Sequence, residues 1–432
     1  MDSIPAPQDM PRLSQAELEK VIRLHAAYLK GMVGGQRLNL SYKNLSSLDF
    51  SGNDLSNADF TGCSLMESHL VRCNLKGASF YGCDLRHANM RHSDLQRADL
   101  RGAYLAGANL TNANMSGIDL GEGIIMTRSK NGTMVERPRL AGEGGRTVLT
   151  GAKLGHSTLD HARAAAAIFT DADLSGVSFY GANLEGADFE GANLTGSDLS
   201  GANLERVNMR ACILTKAKLF DTERRGLDLT DSITDHAIGA TIENLGRPLE
   251  ELLEMHTLWI ATSGKKGHQL DLSGYDLRDA RNLKNYPLTA VMCIGANFLG
   301  QDMRHSELQS GVFDRSDFRD CRFNYADLRA SSYKHAKFVR ANLDGAKLNA
   351  LEIQRGGGET YMARTDLSGA NLRFASLKEA DLRDSILMGV DLRDADLRGA
   401  DLRRADFTGA LIDYTKFDGA SLEDAIIDLS GV

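Results

Sequence analysis

Proline and aromatic residues are scarce: 6 prolines in 432 residues, 6% aromatics and a single tryptophan, Trp259. So few large rings exclude one broad aromatic core. The 6 cysteines are too few for a disulfide-dense secreted miniprotein, and the proline content excludes a collagen. No apolar run approaches the ~18 residues a membrane helix needs; the longest, Ala164 to Phe169, is far shorter. Basic charge is not in excess. The net charge is −8, which argues against a protein that binds nucleic acid or anionic membranes over its whole surface. Met1 to Met10 has no basic start followed by an apolar stretch, so no secretory leader is read and the cytoplasm is the expected location. What the chain has in abundance is glycine, 43 residues, and a repeat.

The repeat has a period of five. From Leu40 to Leu120 every fifth residue is Leu, Phe or Met, and two residues before most of them lies a small residue. From Ala58 to Ala113 that small position is always Ala, Cys or Ser. The residue between is usually Asp or Asn, as in Ala98-Asp99-Leu100 and Ala108-Asn109-Leu110. The period restarts in runs from Leu149 to Leu219, Leu283 to Ile353 and Leu367 to Ile427. Five fits neither the 3.6 of a helix nor the 2 of a plain strand. It implies one short edge and one turn per repeat, with four edges closing a square coil of twenty residues. Residues twenty apart then stack at ~4.8 Å, so Phe298, Phe318 and Phe338 form one predicted interior ladder and Leu154, Leu174, Leu194 and Leu214 another.

The A(D/N)Lxx pattern resembles the pentapeptide-repeat proteins over about three quarters of the chain. The resemblance implies an all-β solenoid, a right-handed quadrilateral β-helix, with the small residue and the Leu or Phe pointing inward. Cys63, Cys73, Cys83, Cys212 and Cys321 fall in the small slot and Cys293 in the apolar slot, so all six read as reduced, buried residues.

Two helical segments precede two such solenoids. Ser14 to Lys30 opens with a capping box, Ser14 and Glu17; the second follows Pro248, a residue suited to a first helical position. They align at a constant offset that superimposes Leu18 on Leu249, His25 on His256 and Tyr28 on Trp259. Both read as caps over an open solenoid end, and both histidines read most plainly as hydrogen-bond partners of the first coil. Each half is also interrupted. Ile124 to Arg139 alternates around Asn131-Gly132, a hairpin signal, and Leu351 to Arg364 brackets Gly356, Gly357 and Gly358. The domain reading is a flexible tail over 1–13, a cap helix over 14–35, and a first β-helix over 36–236 with a hairpin insertion at 124–148. A connector and second cap helix occupy 237–267, and a second β-helix spans 268–432 with an insertion at 351–366. Tandem duplication accounts for the symmetry.

No catalytic, metal or cofactor motif emerges, so a non-enzymatic role without cofactors is expected. An insertion is the natural contact point on a flat-faced solenoid. The candidate contact residues are Arg128, Lys130, Asn131, Gly132, Arg137, Arg139 and Arg146. A second candidate is an acidic belt without Lys or Arg between Arg163 and Arg206: Asp171, Asp173, Glu185, Asp188, Glu190, Asp198 and Glu205. The leading expectation is a scaffold for protein–protein interaction. The family resemblance also raises a DNA-mimicking role toward DNA gyrase, which alternating surface charge would argue against. A third reading is a self-associating element that pairs through its C-terminal coil as a homodimer. No membrane and no direct nucleic-acid contact are expected.

Overall fold

The five-residue period becomes structure through one repeated turn. In most repeats the carbonyl of the apolar residue, here termed the anchor, accepts from the N–H three residues on, as in Ala58 N to Leu55 O at 3.1 Å and Ala375 N to Leu372 O at 3.0 Å. The second residue after the anchor is left-handed, with φ of +59° at Asn57 and +63° at Gly176. Glycine takes that conformation without steric cost, which accounts for much of its abundance. The Asp or Asn before the anchor closes an Asx turn: Asp59 Oδ1 accepts from Thr61 N at 3.0 Å, and Asn193 Oδ1 from Thr195 N at 3.0 Å. The same residue carries the parallel bridge to the coil beyond, as Asp59 to Ser79 and Asp99 to Asp119. Pairing therefore runs at a step of twenty, and four repeats close one coil of a β-helix.

A computed structural model of the chain describes residues 10–123, 126–128, 134–136, 145–280, 283–354 and 360–427, with 126–128 and 134–136 described in backbone alone. The chain divides into two compact units, Met1–His236 and Ala237–Val432. Each has its own continuous core. Anchors and small residues fill the interior in columns. Phe298, Phe318 and Phe338 stack with ring centroids 4.8 and 4.9 Å apart. Phe169 and Phe189 stack at 4.7 Å. Leu154, Leu174, Leu194 and Leu214 are all buried. Each such side chain contributes ~1.5–3 kcal/mol of gross burial, most of which chain ordering offsets. The six cysteines are buried free thiols. Those in the small slot donate to a carbonyl of the preceding coil, as Cys63 Sγ to Leu40 O at 2.8 Å and Cys321 Sγ to Phe298 O at 3.0 Å.

In the first unit, helix α1 (Gln15–Leu29) starts at the Ser14–Glu17 capping box and buries Leu18, Ile22 and His25. The expectation of a flexible tail through residue 13 is corrected at its end. Arg12 forms a parallel bridge with Asn44, and Leu13 N donates to Asn44 O at 3.3 Å. Gln15 continues this edge, its side-chain amide both donating to Asp49 O and accepting from Asp49 N. The unpaired first coil otherwise exposes these groups, so local chain is drawn onto it. Strands β1 (Met126–Arg128) and β2 (Met134–Glu136) pair antiparallel, Thr127 opposite Val135. Tyr104 then bridges Val148 across the insertion, and bridging continues to Ile233, beyond the last periodic anchor at Leu219.

The second unit opens with β3 (Ala240–Thr241), which pairs in parallel with β4 (Tyr275–Asp276). Between them lies α2 (Leu249–Ala261), whose N-cap is Pro248 rather than its first residue. The third periodic run is shorter than the sequence suggests. Asp271 bridges Met292 and Asp276 bridges Asn297, one residue more than a coil. The extra residue is taken up around a 3₁₀ turn at Leu283–Asn285, so Leu283 is buried without being a repeat anchor. At the other end, Ile353 lies in β5 (Leu351–Gln354), which pairs antiparallel with β6 (Thr360–Ala363), Ile353 opposite Tyr361. The coil resumes at Asp366, bridged to Ser332.

Candidate functional site

The faces of both units are covered by ion pairs that the repeat itself generates. An Asp before the anchor and an Arg after it form a two-pronged pair. Arg383 Nε and Nη2 donate to the two Asp381 oxygens at 2.8 and 2.6 Å, and Arg403 does the same to Asp401. Arg383 also reaches Asp401 on the next coil at 3.5 Å. The hydrogen bonds it donates to Asp381 hold the Arg383 guanidinium above the ordinary range. Asp302 collects Lys284 at 2.9 Å, Arg304 at 2.8 Å and Arg322 at 3.8 Å. Arg304's hydrogen bonds, first among these, push the Asp302 carboxyl well below the usual carboxylate range. Arg393 grips Asp391 at 2.6 Å, and Arg373 lies 5.3 Å from the Phe374 ring centre.

The acidic belt is interrupted in the same way. Glu185 pairs with Arg206, Glu205 with Arg225 at 3.1 Å and Asp198 with Lys218 at 3.5 Å. Asp188 and Glu190 both accept from the Asn208 amide. Asp173 is spent on Ser175. Asp171 is a buried, left-handed corner whose carboxylate lies against Gly191. The cations come from the adjoining coil, just outside the sequence window that defines the belt.

Of the first-insertion candidates, Lys130, Asn131, Gly132, Arg137 and Arg139 lie outside the described residues, and Arg128 is described only as the end of β1. Arg146 stands at the foot of the insertion. Its guanidinium donates to Ala166 O on the next coil. Beside it Thr147 accepts from Gly102 N at 2.9 Å, with its hydroxyl 2.9 Å from Gly121 O and 3.1 Å from Leu100 O. The second insertion ends on the same pair. Arg364 Nε donates to Asp384 O at 2.5 Å, and Thr365 accepts from Ala330 N at 2.9 Å while facing Leu328 O and Asn349 O. This arginine–threonine staple was missed from sequence. Its signal is present: Arg-Thr stands two residues before each resuming anchor, Leu149 and Leu367. Above the second staple Tyr361 and Met362 are exposed. Met362, Arg364, Asp384, Arg404, Asp406 and Ile426 line a groove at the hairpin's foot.

Histidines also occupy left-handed corners. His87, His156, His161 and His335 each lay a ring against a glycine of the next coil, Gly107, Gly176, Gly181 and Gly369. Each ring is thus spent on the coil that follows it. Among the described residues no His, Cys, Asp or Glu group is arranged to hold a metal ion, and no helix is long and apolar enough to cross a membrane.

The family comparison agrees with this construction. The pentapeptide-repeat family pattern matches eight times, over residues 36–121, 147–223 and 365–427 in overlapping copies, just over half of the chain. No curated protein matches the chain. Among solved structures, QnrB1, a plasmid-mediated fluoroquinolone resistance protein, is 25% identical over 45% of this chain and 84% of its own, with a TM-score of 0.20. Rfr23 from the cyanobacterium Cyanothece 51142 is 27% identical over 31% of this chain and 91% of its own, with a TM-score of 0.17. HetL from the cyanobacterium Nostoc sp. strain PCC 7120, involved in heterocyst differentiation regulation, is 20% identical over 96% of this chain and 98% of its own, with a TM-score of 0.14. The repeat pattern and its eightfold match place the chain in the pentapeptide-repeat family, whose right-handed β-helix its coils build.

Proposed function

We propose that this chain is a non-enzymatic cytoplasmic scaffold whose two β-helices, each introduced by a cap helix, hold out hairpins for a protein partner. One observation carries the reading: both insertions interrupt otherwise regular coils and are anchored by the same arginine–threonine staple. A solenoid with a filled interior and ion-paired faces offers few distinctive features, and function concentrates in loops on such a frame. The contact would involve Arg128, Lys130, Asn131, Gly132, Arg137 and Arg139 of the first hairpin, and Tyr361 and Met362 of the second. Arg146 serves the staple. Photocrosslinkers placed at Gly132, Tyr361 and, as a face control, Asp188 test this in native lysate. Capture of one shared partner from the hairpin positions supports the scaffold. Crosslinks from Asp188 alone overturn it.

The DNA-mimicking reading toward gyrase is the weaker alternative, because Glu185, Asp198 and Glu205 of the acidic belt face cations. It predicts inhibition or protection of gyrase by the purified chain in a supercoiling assay. Self-association has its own support. In the last coil the anchors Phe417, Leu422 and Ile427 are half-exposed, whereas Leu397 and Leu402 one coil earlier are fully buried. A second copy packed on that coil would cover them, and a monomer by light scattering at micromolar concentration refutes the homodimer.

A further inference from the structure

The two cap helices share a polar contact that neither cap chemistry nor core packing requires. His25 of α1 and His256 of α2 are each fully buried. Nδ1 of His25 accepts from Leu38 N at 3.0 Å, and Nδ1 of His256 from Leu270 N at 3.0 Å. Leu38 and Leu270 are the first buried residues of the two solenoids that follow. A ring nitrogen that accepts carries no proton, so both imidazoles are neutral Nε2–H tautomers. His256 Nε2 donates to Thr289 O at 3.0 Å, whereas His25 Nε2 has no hydrogen-bond partner among the described residues.

We infer that His25 and His256 are acid-release latches, which let α1 and α2 leave the first coil of their units when the imidazoles take up a proton. Protonation puts an N–H on Nδ1 directly against the backbone N–H it had accepted. It also leaves a cation in a site without solvent. The surroundings compensate only in part: the Ser56 backbone beside His25, and the Thr289 and His268 backbone beside His256, favour the cation, but burial outweighs them. Around His25 stand the Tyr28 ring on α1, Arg37 before the first coil, and Asp54 and the Ser56 carbonyl on the coil. Asp54 favours the cation and Arg37 opposes it. Around His256 stand the Trp259 ring on α2 and the backbone of His268 and Thr289. Burial, the largest influence at both sites, holds both imidazoles below their ordinary value of 6.5. The sign follows. Above 6.5 the ring is neutral whether the helix is docked or not, and docking is independent of pH. Below it the undocked state binds the extra proton, so docking weakens until the docked ring itself protonates. Release uncovers the apolar coil and backbone edge that the helix hides.

The test is hydrogen exchange on the full chain between about pH 7.5 and about pH 5, corrected for intrinsic exchange. The variant is the pair His25→Asn and His256→Asn, because the Asn Oδ1 can accept the same N–H without titrating. In the native chain the opening constant of both helices rises by up to about tenfold per pH unit below 6.5 while the middle coils stay flat. In the double variant the helices also stay flat. Equal slopes in the two proteins, or no slope in the native chain, overturn the inference. A second measurement does not depend on the variant. Imidazole nitrogen resonances of the native chain should show two Nε2–H rings that protonate only as the helices open. Rings that titrate at an ordinary value with both helices docked would contradict the latch.

Discussion

At the scale of the residue, the repeat divides labour among five positions. The anchor fills the core, the small residue lets the walls approach, and the Asp or Asn closes its own turn. The left-handed corner is where identity has the sharpest consequence. Gly176 and Gly186 have nearly the same φ, +63° and +65°, yet a methyl on Gly176 would lie 2.5 Å from His156 Nδ1, whereas one on Gly186 meets nothing within 4 Å. Gly186→Ala should therefore cost about 1 kcal/mol, the left-handed penalty. Gly176→Ala should cost at least twice that and be partly rescued by His156→Ala. Equal melting temperatures for the two single variants would contradict the contact. Tyr333 is a second case. It occupies an anchor slot, fully buried and stacked 5.0 Å from Phe313, and its hydroxyl has no hydrogen-bond partner among the described residues. Tyr333→Phe should be neutral or stabilising by about 1 kcal/mol in denaturant unfolding; a clear loss of stability would show that the hydroxyl has a role. The thiols give a third. Burial pushes Cys63 up to about 12 and Cys73 up to about 11, so neither is a thiolate near neutrality. Alkylation of the native chain should be slow and become complete only on unfolding. Anchors, small residues and cysteines were legible in the sequence because each obeys the period by itself. The histidine–glycine contacts were not, because they join residues of neighbouring coils at a position where the backbone asks only for a positive φ.

At the scale of the element, the helices announced themselves through Ser14, Glu17 and Pro248, and the insertions through breaks in the period. Two things stayed hidden. Leu283 falls in step with the anchors by coincidence, so the residue that lengthens the first coil of the second unit left no mark in the pattern. The tail's pairing with Asn44 was equally silent, since Pro11, Arg12 and Leu13 show no strand alternation and pair through backbone bonds. The staple makes a prediction at this scale. Thr365→Val keeps the shape but removes the acceptor for Ala330 N and the donor facing Leu328 O. It should cost about 1–3 kcal/mol and raise hydrogen exchange at the foot of the second hairpin first. Uniform exchange across the unit would show that the threonine is not a local anchor.

At the scale of the molecule, charge is organised as ladders rather than as a field. Many carboxylates are held low by their partners, Asp302 and Asp401 through arginine hydrogen bonds first. Such groups lend stability above their ordinary value near 3.8 and lose it as pH falls through their lowered values. In the His25→Asn, His256→Asn variant melting temperature should therefore hold above about pH 4 and drop steeply below it; in the native chain the two buried imidazoles add a decline that begins below 6.5. The architecture was legible because five is an unusual period with one geometric solution; a partner was not, because nothing in a face-forming repeat encodes one. The claim that the coils form a frame and the hairpins do the binding is tested most directly by one comparison. Both insertions are replaced by short links joining Gly121 to Thr147 and Asn349 to Thr365, and melting temperature and partner capture are measured together against the intact chain. The account predicts a cooperative melt within a few degrees of the original and loss of the captured partner. Undiminished capture by a chain that still melts cooperatively would contradict it.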